Sequence, residues 1–218
     1  YTWFDDHEGA WAELERRWKD YRAHGFNFIH TGMQGENLDR LISLTRKHGT
    51  ADTIKIGCHG YQAMDPGQVL EKFLAFARPC VKTAKEKGWP RVTFVLLDEP
   101  ANEPSLRANA LKVMEALQPA RKEGILLTGD INGREDQVFF KWMDLSGMND
   151  GLNIRPETLR SCRDAGSVPW LVNTGKERFY WGYWFYKASE EYGVEYKEDY
   201  AYMTWHGDPY FDLDQWNS

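Results

Sequence analysis

Two adjacent carboxylates, Asp98 and Glu99, follow six apolar or β-branched residues, Val92 to Leu97, and precede Pro100. Neighbouring residues on a strand face opposite sides, so both carboxylates can reach one ligand only where the strand ends. Pro100 predicts that end, because proline cannot donate a ladder hydrogen bond and biases Glu99 toward an extended backbone. Such a pair suits acid–base chemistry on a sugar, with one group protonated and the other ionised. The alternative is a loop start in which Glu99 and Glu103 cap the following helix.

The elements that would position these carboxylates alternate between strand-like and helix-like stretches, the pattern of a parallel sheet covered by helices. Apolar, β-rich stretches predict strands near residues 27–31, 53–58, 92–98, 124–130, 151–155, 169–174 and 200–205. Amphipathic stretches predict helices at residues 8–24, 35–48, 67–87, 103–119, 134–145, 156–164 and 178–192. Glycines mark the predicted helix ends: Gly25, Gly49, Gly88, Gly124, Gly166 and Gly193.

The strand count predicts the fold class. Seven strands, with residues 1–4 as the tail of an eighth, predict an α/β fold of the (β/α)8 TIM-barrel type, complete or truncated at one or both ends. An open doubly wound sheet is the alternative, but no glycine-rich phosphate loop follows an early strand. No linker or repeat divides the sequence, so we expect residues 1–218 to form a single catalytic domain.

Several predicted strands end in polar residues. In a barrel these ends converge on one mouth, where we expect the substrate to bind. Asp130 and Asn173 offer hydrogen bonds to hydroxyl groups, and Trp205 suits stacking on the apolar face of a sugar. Arg178 begins an aromatic helix, where a cation opposes the helix dipole, so we expect it to pair with a carboxylate near the mouth. The predicted substrate-binding residues are His59, Asp130, Asn173, Arg178, Trp205 and Asp208. The alternative for each is a structural role, and Asp208 in "GDP" is equally a turn residue.

Composition and spacing exclude other classes of function. A net charge of −6 without a basic stripe argues against nucleic acid as a partner, and no stretch of 18 apolar residues predicts a membrane span. The three cysteines fit neither a disulfide framework nor a zinc site, and we expect them to be buried as small hydrophobes. His59 could ligate a metal with His30 or His206, but nothing resembles HExxH spacing, so we expect no metal and no cofactor.

The stretch KEKGWPRVTFVLLDEP, residues 85–100, resembles the catalytic strand of glycoside hydrolase family 123 and its related barrel families. The later stretches VNTGKERFYWGYWFYKASEEYGVEY and GDPY are also similar to that group, so the resemblance covers about residues 70–212. It implies hydrolysis of a β-linked N-acetylhexosamine in a glycan, in which the acetamide carbonyl of the substrate attacks the anomeric carbon. Glu99 would be the general acid and then the base, and Asp98 would orient the acetamide and stabilise the oxazolinium.

The strand PWLVNTG, residues 169–175, carries no carboxylate that could act as an enzymatic nucleophile, which agrees with substrate assistance. Two alternatives stay open. One is a retaining glycosidase for sugars without an acetamide, with another carboxylate such as Asp130 as nucleophile. The other is a non-catalytic barrel that binds glycans through its aromatic residues.

The resemblance favours a secreted or periplasmic location. The chain opens on YTWFDD, with neither an initiator methionine nor a leader, so we expect it to be a segment of a longer protein. The sequence predicts no particular oligomeric state.

Overall fold

The structure is a computed structural model. It describes residues 8–23, 28–49, 51–149, 152, 154–172, 185–194 and 197–198. The chain forms two compact units, one of Tyr1–Leu96 and Lys112–Leu127, the other of Leu97–Leu111 and Thr128–Ser218. The predictions for residues 1–4, Gly25 and the strand at 200–205 lie outside the described residues.

The first unit contains three parallel strands that follow one another in chain order. Its strands are β1 (Phe28–Thr31), β2 (Thr53–Gly57) and most of β3 (Arg91–Asp98), and its helices are α1 (Glu8–Ala23), α2 (Gly35–His48) and α3 (Pro66–Glu86). A 3₁₀ helix, His59–Ala63, follows β2. In the register, Phe28 pairs with Thr53 and Thr53 pairs with Arg91. Because these strands are parallel, their carboxyl ends lie at the same edge of the sheet.

Aromatic side chains form much of the core of the first unit. Trp18 of α1 is buried, and its indole Nε1 donates to the carbonyls of Thr45 and Gly49, both at 3.2 Å. Phe73 of α3 packs edge-on against Phe94 of β3, with ring centroids 5.4 Å apart. Burial of such rings supplies the largest favourable term in holding helices on a sheet.

The second unit continues the alternation. It contains β4 (Leu126–Ile131), of which Leu126 and Leu127 belong to the first unit, then β5 (Leu145–Met148), β6 (Val168–Val172) and β7 (Lys197–Glu198). These four strands are also parallel and in chain order. The helices of this unit are the first part of α4 (Pro104–Ala116), α6 (Pro156–Asp164) and α7 (Phe185–Tyr192), while the end of α4 from Lys112 and all of α5 (Gln118–Lys122) belong to the first unit. Strands that are buried on both faces are typical of parallel sheets covered by helices.

An ion pair fixes the start of α4 in the second unit. Arg107 Nε donates to Asp136 Oδ1 at 2.6 Å, and the Asp136 side chain is fully buried. Asp136 Oδ2 also accepts from the amide of Gly133 at 3.1 Å. A buried carboxylate is tolerated only when it is paired in this way.

The α/β class and the parallel strands are confirmed, whereas the described residues do not show a complete eight-stranded barrel. Two predicted elements were wrong. Residues 134–142 form a 3₁₀ helix rather than an α-helix, and β5 begins directly after it, at Leu145. The strand predicted at 151–155 is absent from its described residues, where Arg155 instead occupies the N-cap position of α6 without a capping side-chain hydrogen bond. The predicted helix at 103–119 is divided into α4 and α5 at Leu117.

Within the described ranges, no helix is long and apolar enough to cross a bilayer.

Candidate functional site

The two predicted catalytic carboxylates lie at the carboxyl end of β3, in the second unit. Asp98 is the last residue of the strand and is exposed, whereas Glu99 is half-buried. The strand ends before Pro100, as predicted, because Pro100 begins a short 3₁₀ helix, Pro100–Asn102. The two neighbouring carboxylates therefore meet different surroundings, which is what a division of roles between them requires.

Glu99 has a left-handed backbone, with φ 44° and ψ 56°. Among the described residues it is the only non-glycine residue with a positive φ. The extended backbone predicted from Pro100 was therefore wrong. A left-handed conformation costs a non-glycine residue about 1–3 kcal/mol, and such strain concentrates at functional sites. In this backbone conformation the Glu99 carboxylate accepts hydrogen bonds from two asparagine side chains.

Two asparagines donate to the Glu99 carboxylate, and a third orients one of them. Asn102 Nδ2 donates to Glu99 Oε2 at 2.9 Å, and Asn149 Nδ2 donates to Glu99 Oε1. Asn132 Nδ2 donates to Asn102 Oδ1 at 2.6 Å, while Asn132 Oδ1 accepts from the amide of Ala101 at 3.3 Å. Both carboxylate oxygens are thus bound by amide donors, and one of those donors is itself oriented by a third asparagine.

We call Asn102, Asn132 and Asn149 the asparagine network. Its members follow three consecutive strands. Asn102 follows β3, Asn132 follows β4 and Asn149 follows β5. The backbone of Asn149 is anchored, since its amide donates to the Ile131 carbonyl at 3.0 Å. The Glu99 amide donates to the Asp130 carbonyl at 2.9 Å. Main-chain bonds between neighbouring strand ends therefore fix the positions from which the side chains reach Glu99.

The sequence predictions did not include the asparagine network, although its signal was present. Asn132 stands two residues beyond the predicted end of its strand. Asn149 was missed because β5 was not predicted at all. Applying the strand-end rule to the correct strands, β4 and β5, would have identified both residues.

Asp130 of β4, predicted to bind substrate, is buried, with 1% of its surface exposed. Its Oδ1 lies 2.7 Å from the position that a Cβ on Gly147 would occupy, and the Trp170 ring lies 2.4 Å from the same position. Trp170 Nε1 donates to Thr128 Oγ1 at 3.3 Å. Gly147 is therefore required for close packing between β4, β5 and β6, and the Asp130 carboxylate forms part of that packing.

His59, also predicted to bind substrate, begins the 3₁₀ helix after β2 in the first unit. Its ring lies 6.0 Å from that of His30, centroid to centroid, at an interplanar angle of 37°. His30 is buried, and His59 is half-buried. The remaining predicted substrate-binding residues lie outside the described residues: Asn173, Arg178, Trp205 and Asp208.

The part of the chain that the structure describes contains no group of three or more His, Cys, Asp and Glu residues that could hold a metal ion. None of the three cysteines forms a disulfide. Burial raises the pKa of the Cys58 thiol to about 12 and that of the Cys162 thiol to about 11. Such thiols are almost entirely protonated at neutral pH, so they do not suit nucleophilic catalysis.

Comparison with known proteins gives distant similarities to solved structures. A scan with protein-family models finds no match, and a search of curated proteins finds none either. Among solved structures, the chain is similar to a β-glucuronidase of an uncultured Clostridium species, with 14% identity over 88% of this chain and a TM-score of 0.46. It is also similar to an endo-β-N-acetylglucosaminidase of Cordyceps militaris, with 13% identity over 94% of this chain and 91% of that chain, and a TM-score of 0.41.

Both of these structures are of glycoside hydrolases. The chain spans 40% of the length of the β-glucuronidase chain. The resemblance to family 123 stays a prediction, since no family model matches.

Proposed function

We propose that the chain is a glycoside hydrolase in which Glu99 is the general acid and base. The observation that carries this proposal is the strained, left-handed Glu99, whose two carboxylate oxygens accept hydrogen bonds from Asn102 and Asn149. A carboxylate held at a strand end by amide donors is positioned for proton transfer. A general acid must present its proton in one fixed direction.

The chemistry of the site fits a sugar. Asparagine side chains offer both donors and acceptors, and a carboxylate offers acceptors, which is the combination that neighbouring hydroxyl groups require. The asparagine network and Glu99 supply these groups at three consecutive strand ends. The Asp-Glu-Pro resemblance points to the same class of substrate. Hydrolysis of a glycosidic bond is therefore the function that best unites the geometry and the sequence.

The amide donors have a role in the proton transfer itself. Before reaction Glu99 carries the proton on one carboxyl oxygen, and each of its two oxygens can still accept its single amide contact. As the proton passes to the departing glycosidic oxygen, negative charge develops on Glu99. The amide groups of Asn102 and Asn149 then stabilise that charge. In the second half of the reaction Glu99 takes a proton from the attacking water.

Asp98 is the proposed partner of Glu99 on an N-acetylhexosamine substrate. It would orient the acetamide, whose carbonyl oxygen attacks the anomeric carbon, and its negative charge would stabilise the cationic oxazolinium ring. The exposure of Asp98 at the end of β3 supports this role. Asp130 is a poorer candidate for a nucleophile, because a buried carboxylate offers little surface to an anomeric carbon.

The test is a screen with aryl β-glycosides that carry or lack a 2-acetamido group, together with a thiazoline analogue of the N-acetyl sugar. We expect turnover only of the acetamido substrates, and competitive inhibition by the thiazoline. Turnover of substrates without the acetamide, with a covalent sugar adduct in the intact mass, would instead support an enzymatic nucleophile. Saturable glycan binding without any turnover would contradict the hydrolase proposal and favour the glycan-binding alternative.

A further inference from the structure

Asp136 is a buried carboxylate of the second unit that the proposed reaction does not use. It lies in the 3₁₀ helix after β4, Arg134–Trp142, and none of its side chain is exposed. Arg107 Nε donates to its Oδ1 at 2.6 Å, and the Gly133 amide donates to its Oδ2 at 3.1 Å. Arg107 Nη2 also donates to the Glu135 carbonyl at 2.8 Å. Replacing a buried ion pair by apolar residues of similar volume is often neutral or stabilising, so stability alone does not account for this pair.

The contacts of Asp136 lead to the proposed acid. Gly133, whose amide donates to Asp136, directly follows Asn132 in the sequence. Asn132 Nδ2 donates to Asn102 Oδ1 at 2.6 Å, and Asn102 Nδ2 donates to Glu99 Oε2 at 2.9 Å. A short series of contacts therefore joins the buried carboxylate to Glu99.

The backbone at Gly133 lies directly against the turn that carries Asn102. A Cβ built on Gly133 would lie 2.6 Å from Ala101 Cβ, closer than unbonded carbon atoms approach. The φ angle of Gly133 is −106°, which any residue can adopt, so the close approach requires the glycine and the backbone angle does not. Asn132 Oδ1 accepts from the Ala101 amide at 3.3 Å. The loop after β4 and the turn after β3 are thus in close contact, and a shift of one displaces the asparagines of both.

Asn132 determines which end of the Asn102 amide faces Glu99. An asparagine side chain has a donor end and an acceptor end, and a carboxylate needs the donor. Because Asn132 Nδ2 is bound to Asn102 Oδ1, the Asn102 donor faces Glu99. If Asn132 moved away, the Asn102 amide would be free to turn over and place its oxygen beside the carboxylate, where it would oppose negative charge.

We propose that Asp136 is a positioning residue for Glu99. Paired with Arg107, it keeps the backbone at Gly133 in place, and hence the asparagine network in the orientation that supplies a donor to the carboxylate. The proposal rests on the proposed glycosidase function, because it concerns the same proton transfer. All of these residues belong to the second unit.

The test replaces the pair by apolar residues, Arg107→Met with Asp136→Leu, which we call the apolar double variant. Its control is the same change at an exposed ion pair, Arg78→Met with Glu123→Leu. Both should stay folded in urea, because neither leaves a buried charge unpaired. For aryl glycosides with poor leaving groups, we expect the apolar double variant to lower kcat about 10-fold with KM little changed, since a misplaced donor weakens support for the charge that develops on Glu99.

The choice of substrate separates positioning from general damage to the fold. Glycosides with good leaving groups need little protonation, so the apolar double variant should hydrolyse them at close to the wild-type rate. The control should match the wild type on both classes of substrate. Equal losses on both classes, or no loss on either, would overturn the proposal.

A double-mutant cycle tests whether Asp136 acts through Asn132. In an Asn132→Ala background, the apolar double variant should lower kcat by less than about twofold further, because residues that act through one another are not additive. The same loss in both backgrounds would refute the route through Asn132, and with it the proposal.

Gly133→Ala disturbs the same loop without removing the ion pair, and it serves if the apolar double variant does not fold. Since its Cβ would lie 2.6 Å from Ala101 Cβ, the loop must shift. We expect the same selective loss on poor leaving groups, with partial recovery when Ala101→Gly removes the opposing carbon. A wild-type kcat in folded Gly133→Ala would contradict the proposal.

A spectroscopic readout needs no turnover. In ¹H–¹⁵N spectra, the side-chain amide resonances of Asn102 should shift in the apolar double variant, because the Nδ2 proton loses part of its hydrogen bond to the carboxylate. They should stay in place in the control. Unchanged Asn102 resonances in the folded apolar double variant would overturn the proposal.

The two proposals fail separately. If Glu99→Gln keeps full activity, the catalytic assignment is wrong, while the Asn102 resonances still report whether Asp136 positions the amide. If Glu99→Gln loses activity but the apolar double variant behaves like its control, the positioning role alone is wrong.

Discussion

Removing the amide of Asn149 is the sharpest perturbation of the asparagine network. Asn149 Nδ2 donates to Glu99 Oε1, while the backbone amide of Asn149 donates to the Ile131 carbonyl at 3.0 Å. Asn149→Ala removes the first contact and keeps the second, so the strand end should stay in place. A hydrogen bond to a charged group contributes about 1.5–3 kcal/mol.

The energy of the lost hydrogen bond gives the expected decrease in rate. If the contact strengthens as charge develops on Glu99, its loss should lower kcat/KM by about 10–150-fold for a glycoside with a poor leaving group. Asn149→Asp has the same shape but places a second carboxylate beside Glu99. This substitution also removes the amide donor, so Asn149→Asp should lower kcat/KM relative to wild type as well.

The assay is kcat/KM for these two variants, with urea unfolding to confirm that each is folded. Asn109→Ala, at a half-buried asparagine of α4, is the matched control and should stay close to wild type. The reasoning is refuted if folded Asn149→Ala keeps kcat/KM within about twofold of wild type, since a contact that supports charge on Glu99 cannot be that weak.

Three further predictions concern the packing, the thiols and the pH dependence of stability. Gly147→Ala should lower the free energy of unfolding by about 1–3 kcal/mol, because its Cβ would lie 2.4 Å from Trp170. Urea denaturation measures this change. The control Gly32→Ala, whose Cβ would have nothing within 4 Å, should lower the free energy of unfolding far less. Cys80 should react with a thiol reagent before the two buried cysteines, because it is less buried than they are. Its reaction should still be slow at neutral pH, because burial raises the pKa of its thiol to about 11. Peptide mapping after timed labelling gives the order of reaction, and faster labelling of a buried cysteine would contradict the prediction. Hydrogen bonds from a lysine and a histidine of α2 lower the pKa of Glu15 from 4.5 to about 2, so its contribution to stability is complete above about pH 4.5 and is lost as the pH falls toward 2. The stability difference between wild type and Glu15→Gln should therefore vanish over that window in thermal melts, and a difference that persists at lower pH would exclude the carboxylate as its source.

Some helices, such as α2, could be predicted closely because local signals define them. The amphipathic stretch at 35–48 coincides with α2, and Gly88 and Gly124 turn the chain with φ of 59° and 80° at the predicted helix ends. The strand before Asp98 was also predicted from its continuous apolar run. These features depend on residues that are near one another in the sequence.

The missed features depend on partners distant in the sequence. β5, with the sequence LSGM, has a serine and a glycine in place of β-branched residues, and it is a strand because β4 and β6 pair with it on both sides. The left-handed backbone of Glu99 was not predicted either, because the contact from Asn149 comes from 50 residues away. The pattern around residue 99 therefore predicted which carboxylates stand at the end of β3, and not how the chain holds Glu99.

The dependence of rate on the leaving group tests the assignment of Glu99 most directly. We would measure kcat/KM of wild type, Glu99→Gln and the control Glu103→Gln, at an exposed carboxylate four residues later, over aryl N-acetylhexosaminides of graded leaving-group pKa. Glu99→Gln should lose about 10²–10⁴-fold on the poorest leaving groups and far less on the best, because the best need little protonation. Its plot of rate against leaving-group pKa should therefore be steep, while wild type and Glu103→Gln stay shallow. Parallel plots for Glu99→Gln and wild type would contradict the assignment.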